Sequence, residues 1–178
     1  MDVAVLAGGR SPEHDVSLAS AAQVLQFLDR QRYRAWPVFI DRDGSWWPQR
    51  RPLAIGDPWH RRDPAFAVGP LRPGAAVDWL LAEAGIGCVL PILHGPFGED
   101  GTVQGMLDLY ALPYVGSGCA ASAVAMDKLR TRQVLATAGV PLATAYLPEI
   151  PLVRADAART ASARAMADRP SDGSERTL

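Results

Sequence analysis

Residues 2–40, DVAVLAGGRSPEHDVSLASAAQVLQFLDRQRYRAWPVFI, decide the fold. Residues 3–7 form a short apolar run that stops at Gly8-Gly9, as a buried parallel strand does on leaving its sheet. Over residues 17–28, Leu18, Ala21, Ala22, Leu25 and Leu28 recur at spacings of three and four, which predicts an amphipathic helix with Ser17 as its N-cap. Residues 34–40 read as a second strand. Strand, glycine turn, helix and strand make a βαβ unit, and a βαβ unit implies an α/β fold.

Outward from this unit, Asp41-Arg42-Asp43-Gly44 is a turn signal, and Ser45-Trp46-Trp47 reads as a hairpin arm. Residues 48–75 hold many of the prolines and keep no period, so they are an insertion or a long connection. A helix is predicted over 77–84 and a buried strand, CVLPIL, over 88–93, with Pro91 marking a strand end or a bulge. After a glycine-rich loop at 94–101, Val103, Met106, Leu107 and Tyr110 space a helix over 102–110, and 112–115 returns as a short strand. Residues 118–139 are small residues and then helix, stopped by Gly139, and 141–147 is extended. From Pro148 the chain is rich in Ala, Arg, Ser and Asp and poor in large apolar residues, which predicts a disordered or loosely helical tail.

The 178 residues, 48% hydrophobic and 21% charged, suffice for one core of ordinary size and a small second element. A net charge of −1 gives no reason to expect nucleic acid or an anionic membrane surface as partner. Arg50, Arg51, Arg61 and Arg62 sit among prolines and tryptophans and read as a solvated loop. Cys88 and Cys119 are expected to be buried thiols in a reducing compartment, and no ligand spacing suggests a metal site. The start lacks the basic and long apolar regions of a signal peptide, and no apolar stretch approaches the roughly 20 residues that span a bilayer. The expectation is a soluble, cytoplasmic protein.

Loops at the carboxyl ends of parallel strands are where open α/β sheets bind ligands, and two stand out. The first is GGRSPEHDVS, residues 8–17: its glycines let backbone approach a ligand, and the helix behind it offers free N–H groups. Glu13 either holds an ammonium group there or caps the helix and complements its dipole. The second is LHGPFGEDG, residues 93–101, with His94 directly off a strand end, placed to touch substrate or to serve the fold. Glu99 and Asp100 precede a helix, so capping accounts for them. Neither loop is a Walker A loop or a dinucleotide fingerprint.

Together the loops are far more specific. AVLAGGRSPEHDVSLASA, ILHGPFGEDGTVQGMLDLYALPYVGSG and ASAVAMDKLRTRQVLATAGVPLATAY follow one another in order. They resemble the D-alanine–D-alanine ligases and their D-alanine–D-lactate relatives, from Asp2 to about residue 147. The resemblance implies a Rossmann-like, pre-ATP-grasp parallel sheet flanked by helices over 1–122, an incomplete start of the ATP-grasp domain over 123–147, and a divergent tail over 148–178. It implies ATP-dependent joining of two D-alanines for peptidoglycan: ATP phosphorylates the first carboxylate, the second amine attacks the acyl phosphate, and Mg2+ holds the phosphates. By the same resemblance Glu13 binds the ammonium of the first D-alanine, and His94 lies near the reacting carboxyl group. Lys128 reaches the ATP phosphates, and Gly9 and Ser17 shape the loop around the substrate.

The sequence also departs from the family. The rest of the ATP-grasp module is expected after Tyr146 and does not follow, and Lys128 is the sole lysine. The glycine- and serine-rich phosphate loop, the tyrosine-bearing D-alanine loop and the Asp/Glu/Asn magnesium ligands are not found. A truncated or frame-shifted chain is expected, without ligase activity by itself. Three readings compete: an incomplete ligase chain, a non-catalytic module docking on an intact ligase, and a decayed product without a role. D-Alanine–D-lactate synthesis is the runner-up reaction. The apolar faces carrying Val124, Leu129, Val134, Leu135, Val140 and Leu142 are expected to lack cover, which favours homodimers or other association.

Overall fold

The computed structural model describes residues 1–144. Met1–Leu142 forms one compact unit, which holds every element named below. The end of the extended segment expected over 141–147 and the predicted tail lie outside the described residues.

The strands are β1 (Asp2–Gly8), β2 (Arg34–Ile40), β3 (Trp46–Pro48) and β4 (Cys88–Pro91), and the helices are α1 (His14–Phe27), α2 (Pro73–Ala82), α3 (Thr102–Leu109), α4 (Cys119–Met126) and α5 (Lys128–Thr137). The sheet order is β3-β2-β1-β4. β1 runs parallel to β2, with Asp2 opposite Arg34 and Gly8 opposite Ile40, and parallel to β4, with Val3 opposite Cys88. The sheet is therefore of the expected class but mixed, because β3 returns on β2 antiparallel with Ile40 opposite Trp46. The Asp41–Ser45 turn leaves too little chain for the crossover that a parallel return requires.

Alternation along β1 divides the core. Ala4 and Leu6 face one side with Trp36, Val38 and Ile40, under Ala76, Val77 and Leu80 of α2 and Val103 and Leu107 of α3. Val5 and Ala7 face the other with Ala35 and Phe39, under Leu18, Ala21 and Leu25 of α1. Each strand of the centre is thus covered on both faces, which is why residues 3–7 read as a continuous apolar run. Asp2 ties the strand starts together, accepting from Trp36 Nε1 at 2.7 Å and from Arg34 Nη2 at 2.6 Å. Burial would raise its pKa, but these two bonds and the Arg34 charge outweigh burial and hold it below the ordinary carboxylate value.

Several expectations are revised. Helix α1 begins at His14, so Ser17 is not its N-cap but lies in its second turn. Helix α2 starts at Pro73, whose fixed φ suits the first turn. Residues 112–115 make no strand; a single parallel bridge joins Tyr114 to Val89. Pro113 supplies a carbonyl there but no N–H, which leaves the ladder short. Cys88 and Cys119 are free but half-buried. Of the six residues expected to lack cover, Leu129, Val134 and Val140 are exposed, whereas Val124, Leu135 and Leu142 are half-buried. No helix among the described residues is long and apolar enough to cross a membrane.

Candidate functional site

The loops leaving β1, β2 and β4 meet over a cavity of about 470 Å³. Gly8, Gly9, Arg10 and Ser11 form one wall, Asp43 and Gly44 of the β2–β3 turn another, and Leu93, His94, Pro96, Phe97 and Gly98 a third. Val103 and Met106 of α3, with Ile40 and Trp46, make the lining mainly apolar. This is the crevice outside the carboxyl ends of parallel strands.

Local chemistry explains how the first loop holds its course. Ser11 is buried, and its Oγ accepts the Glu13 N–H at 3.1 Å while its carbonyl accepts the His14 N–H at 3.2 Å. The polar cap of this turn is therefore Ser11 rather than Ser17; the S-x-E spacing is the sequence signal that points to it. His14 is buried too, with Nδ1 2.7 Å from the Gly9 carbonyl oxygen and its ring edge-on to Phe39 at 5.7 Å. Ser17 is wholly buried, and its hydroxyl accepts from the Gly8 N–H at 2.8 Å and donates to the Ile92 carbonyl. One hydroxyl of α1 thereby links the last residue of β1 to the residue just past β4.

The second loop is held by its acidic pair. Glu99 Oε2 accepts from the Gly95 N–H at 2.7 Å, folding the loop on itself rather than capping α3. Asp100 accepts from the Phe97 and Thr102 N–H groups at 2.9 and 3.0 Å, and so does cap the turn into α3. Burial would raise the Asp100 pKa, but those N–H donors outweigh it and keep the carboxyl below its ordinary range. His94 has one hydrogen-bond partner, with Nε2 3.3 Å from Ser20 Oγ, while Nδ1 lies 4.0 Å from Glu99 Oε1, beyond hydrogen-bond distance. Ser20 carries no signal of this role in the sequence, since 74 residues separate it from His94.

The loops are in contact at Gly95. A Cβ built there would stand 2.5 Å from Glu13 Oε2 and 2.6 Å from Ser11 Oγ, on a backbone with φ +69°. The Glu13 carboxylate thus rests on the glycine beside His94. Glu13 occupies the N-cap position of α1 but makes no side-chain cap bond. Of the five residues singled out by sequence, Gly9 and His94 line the cavity and Glu13 lies at the seam next to it. Ser17 lies beneath, out of reach of solvent. Lys128 is not among the cavity walls; it is exposed at the start of α5, next to Asp127, whose carboxylate caps the Leu129 and Arg130 N–H groups at 3.0 Å each. Among the described residues no group of three or more His, Cys, Asp or Glu side chains is placed to hold a metal ion.

Comparison with known proteins agrees with this architecture. The family model described as the D-ala D-ala ligase N-terminus matches residues 2–117. A D-alanine–D-alanine ligase of Nocardia farcinica is 46% identical over 154 residues, covering 80% of this chain and 42% of that protein. One of Enterococcus faecalis is 39% identical over 162 residues, covering 88% of this chain and 45% of that protein. Among solved structures, the D-alanine–D-alanine ligase of Coxiella burnetii superposes with a TM-score of 0.64 at 29% identity, over 92% of this chain and 50% of that one. The D-Ala:D-Ser ligase VanG of Enterococcus faecalis gives 0.59 at 26% identity, over 81% and 43%. The chain spans about two fifths of the length of the curated relatives it matches. With the match running through both loops and into the helix behind the second, the chain belongs to the D-alanine–D-alanine ligase family.

Proposed function

We propose that the cavity at the strand ends is the D-alanine pocket of an ATP-dependent ligase that joins two D-alanines for peptidoglycan, in the cytoplasm. The observation that carries this reading is the seam at Gly95, where the Glu13 carboxylate lies beside the loop that bears His94. In this reading Glu13 binds the ammonium of the first D-alanine and turns its carboxyl group toward the phosphate donor. His94, steadied by Ser20, stands near the reacting carboxyl group. Gly9 lends backbone to the pocket, Ser17 fixes that backbone from below, and Lys128 is a point charge for the ATP phosphates. The division into 1–122, 123–147 and 148–178 belongs to the same proposal. So does association with a second copy or with an intact ligase subunit, which would cover the exposed Leu129 and Val134 of α5. Magnesium belongs to the same proposal by family, as the ion that neutralises the ATP phosphates.

Two measurements test the reading. Titration of the 178-residue chain with D-alanine, followed by amide NMR shifts, should give saturable changes around residues 8–14 and 93–98. Glu13→Gln, which keeps shape and removes charge, should weaken binding by about tenfold or more, the worth of a charge-assisted hydrogen bond. Equal affinity in the variant would overturn the assignment of Glu13. The second measurement is phosphate release from ATP with magnesium and D-alanine. Phosphoryl transfer rests on neutralising charge around the phosphates, and this chain brings one lysine to that task. No turnover above background is expected from the chain alone, and turnover by pure protein would refute that.

A further inference from the structure

Among the described residues that line the cavity, Arg10 is the only arginine or lysine, and the roles above do not use it. Its stem crosses Gly44, where a Cβ would meet Arg10 Cδ at 2.9 Å. Its guanidinium then lies 4.9 Å from the centroid of the Phe97 ring. Arg10, Gly44 and Phe97 come from three different loops and all line the cavity, so this side chain spans its rim.

Arg10 has no ion-pair partner at that rim. Arg34, Arg42, Arg51, Arg62 and Arg130 each have a carboxylate within 3.2 Å. Arg10 forms no such pair among the described residues. Asp43, the carboxylate on the same wall, accepts from the Ser45 N–H at 2.8 Å and hydroxyl at 2.6 Å, both through Oδ1, and makes no ion pair with Arg10. The Phe97 ring lies within cation–π distance of the guanidinium, whose N–H donors have no carboxylate partner among the described residues and offer the fork suited to a carboxylate.

We infer that Arg10 recognises the carboxylate of the amino acid entering this cavity, so that the rim selects for a carboxylate as Glu13 selects for an ammonium. The inference rests on the reading of the cavity as an amino-acid pocket. It makes Arg10 a specificity residue, and it makes Phe97 the residue that positions it.

The test compares D-alanine with D-alaninamide, which lacks the carboxylate, as ligands of the full 178-residue chain by NMR titration. The unmutated chain should bind D-alanine about tenfold more tightly than the amide, the worth of one charge-assisted hydrogen bond. Arg10→Met, which keeps a stem over Gly44, should weaken D-alanine by the same factor and leave the amide unchanged, abolishing the preference. Phe97→Leu should lower the preference in part. If Arg10→Met weakens both ligands equally, the residue is structural and the inference fails. If Arg10→Met leaves D-alanine affinity intact while Glu13→Gln lowers it, the inference fails and the pocket assignment stands. If the unmutated chain binds no D-alanine, both fall together.

Discussion

Alanine at Gly8 is expected to lower the melting temperature by on the order of 10 °C, because two penalties that are usually separate coincide there. Gly8 holds φ +98°, a left-handed conformation that costs an L-residue roughly 1–2 kcal/mol. The added Cβ would also run into the Ile40 carbonyl oxygen and stand 2.9 Å from His14 Cε1. Neither neighbour can give way easily. The Ile40 carbonyl is fixed at the end of β2 and accepts the Gly9 N–H at 2.8 Å. The His14 ring is buried, bound to the Gly9 carbonyl and braced on Phe39. Overpacking of this kind adds roughly 1–3 kcal/mol, giving about 2–5 in all. Gly56→Ala is the matched control. Gly56 also has a positive φ, +84°, but a Cβ there meets nothing within 4 Å, so it should lose only the conformational part. Circular-dichroism melts of the two variants separate strain from collision. Coincident melts would mean that the β1–α1 turn is not packed as described.

That same turn shows what can be read from sequence and what cannot. The run at residues 3–7 declares its strand because both faces of β1 are covered, and the glycines after it declare a turn. The periods behind α1 and α3 are legible because burial on one face imposes them. Orientation across the sheet is not so written. That β3 returns antiparallel follows from a turn too short for a crossover, whereas that Leu93 and Gly9 share one cavity follows from the strand order, which no local period encodes. Polar side chains are the hardest to place. Ser17, Ser11 and Ser20 look alike in sequence, yet the first bridges two strands, the second caps a turn and the third meets His94. Serine bonds equally well to near and distant partners, so its role is settled by tertiary packing. Glu99 misleads for the same reason: a carboxylate before a helix suggests a cap, but this one bonds back to Gly95.

Ser17 also yields the second large effect, and one that separates support of the pocket from contact with the ligand. Its side chain has 0% exposure, so it acts on a bound amino acid through the backbone it holds. Ser17→Ala removes the acceptor of the Gly8 N–H and the donor to the Ile92 carbonyl at once. A buried polar group left without its partner costs roughly 1–3 kcal/mol, and two are left here, so a loss of about 3 kcal/mol or more is expected. In a chain of this size that corresponds to a midpoint lower by roughly 6–12 °C. Below that midpoint the folded variant keeps Glu13, His94 and Arg10, with only the tie beneath them gone. Its D-alanine affinity should therefore fall less than that of Glu13→Gln, whereas its stability should fall much more, since Glu13 is exposed and makes no cap bond. Denaturant melts and D-alanine titrations on both variants give the two axes. If Ser17→Ala lost affinity as severely as Glu13→Gln while melting like the parent, the hydroxyl would have to reach the ligand, and its place between Gly8 and Ile92 would be wrong.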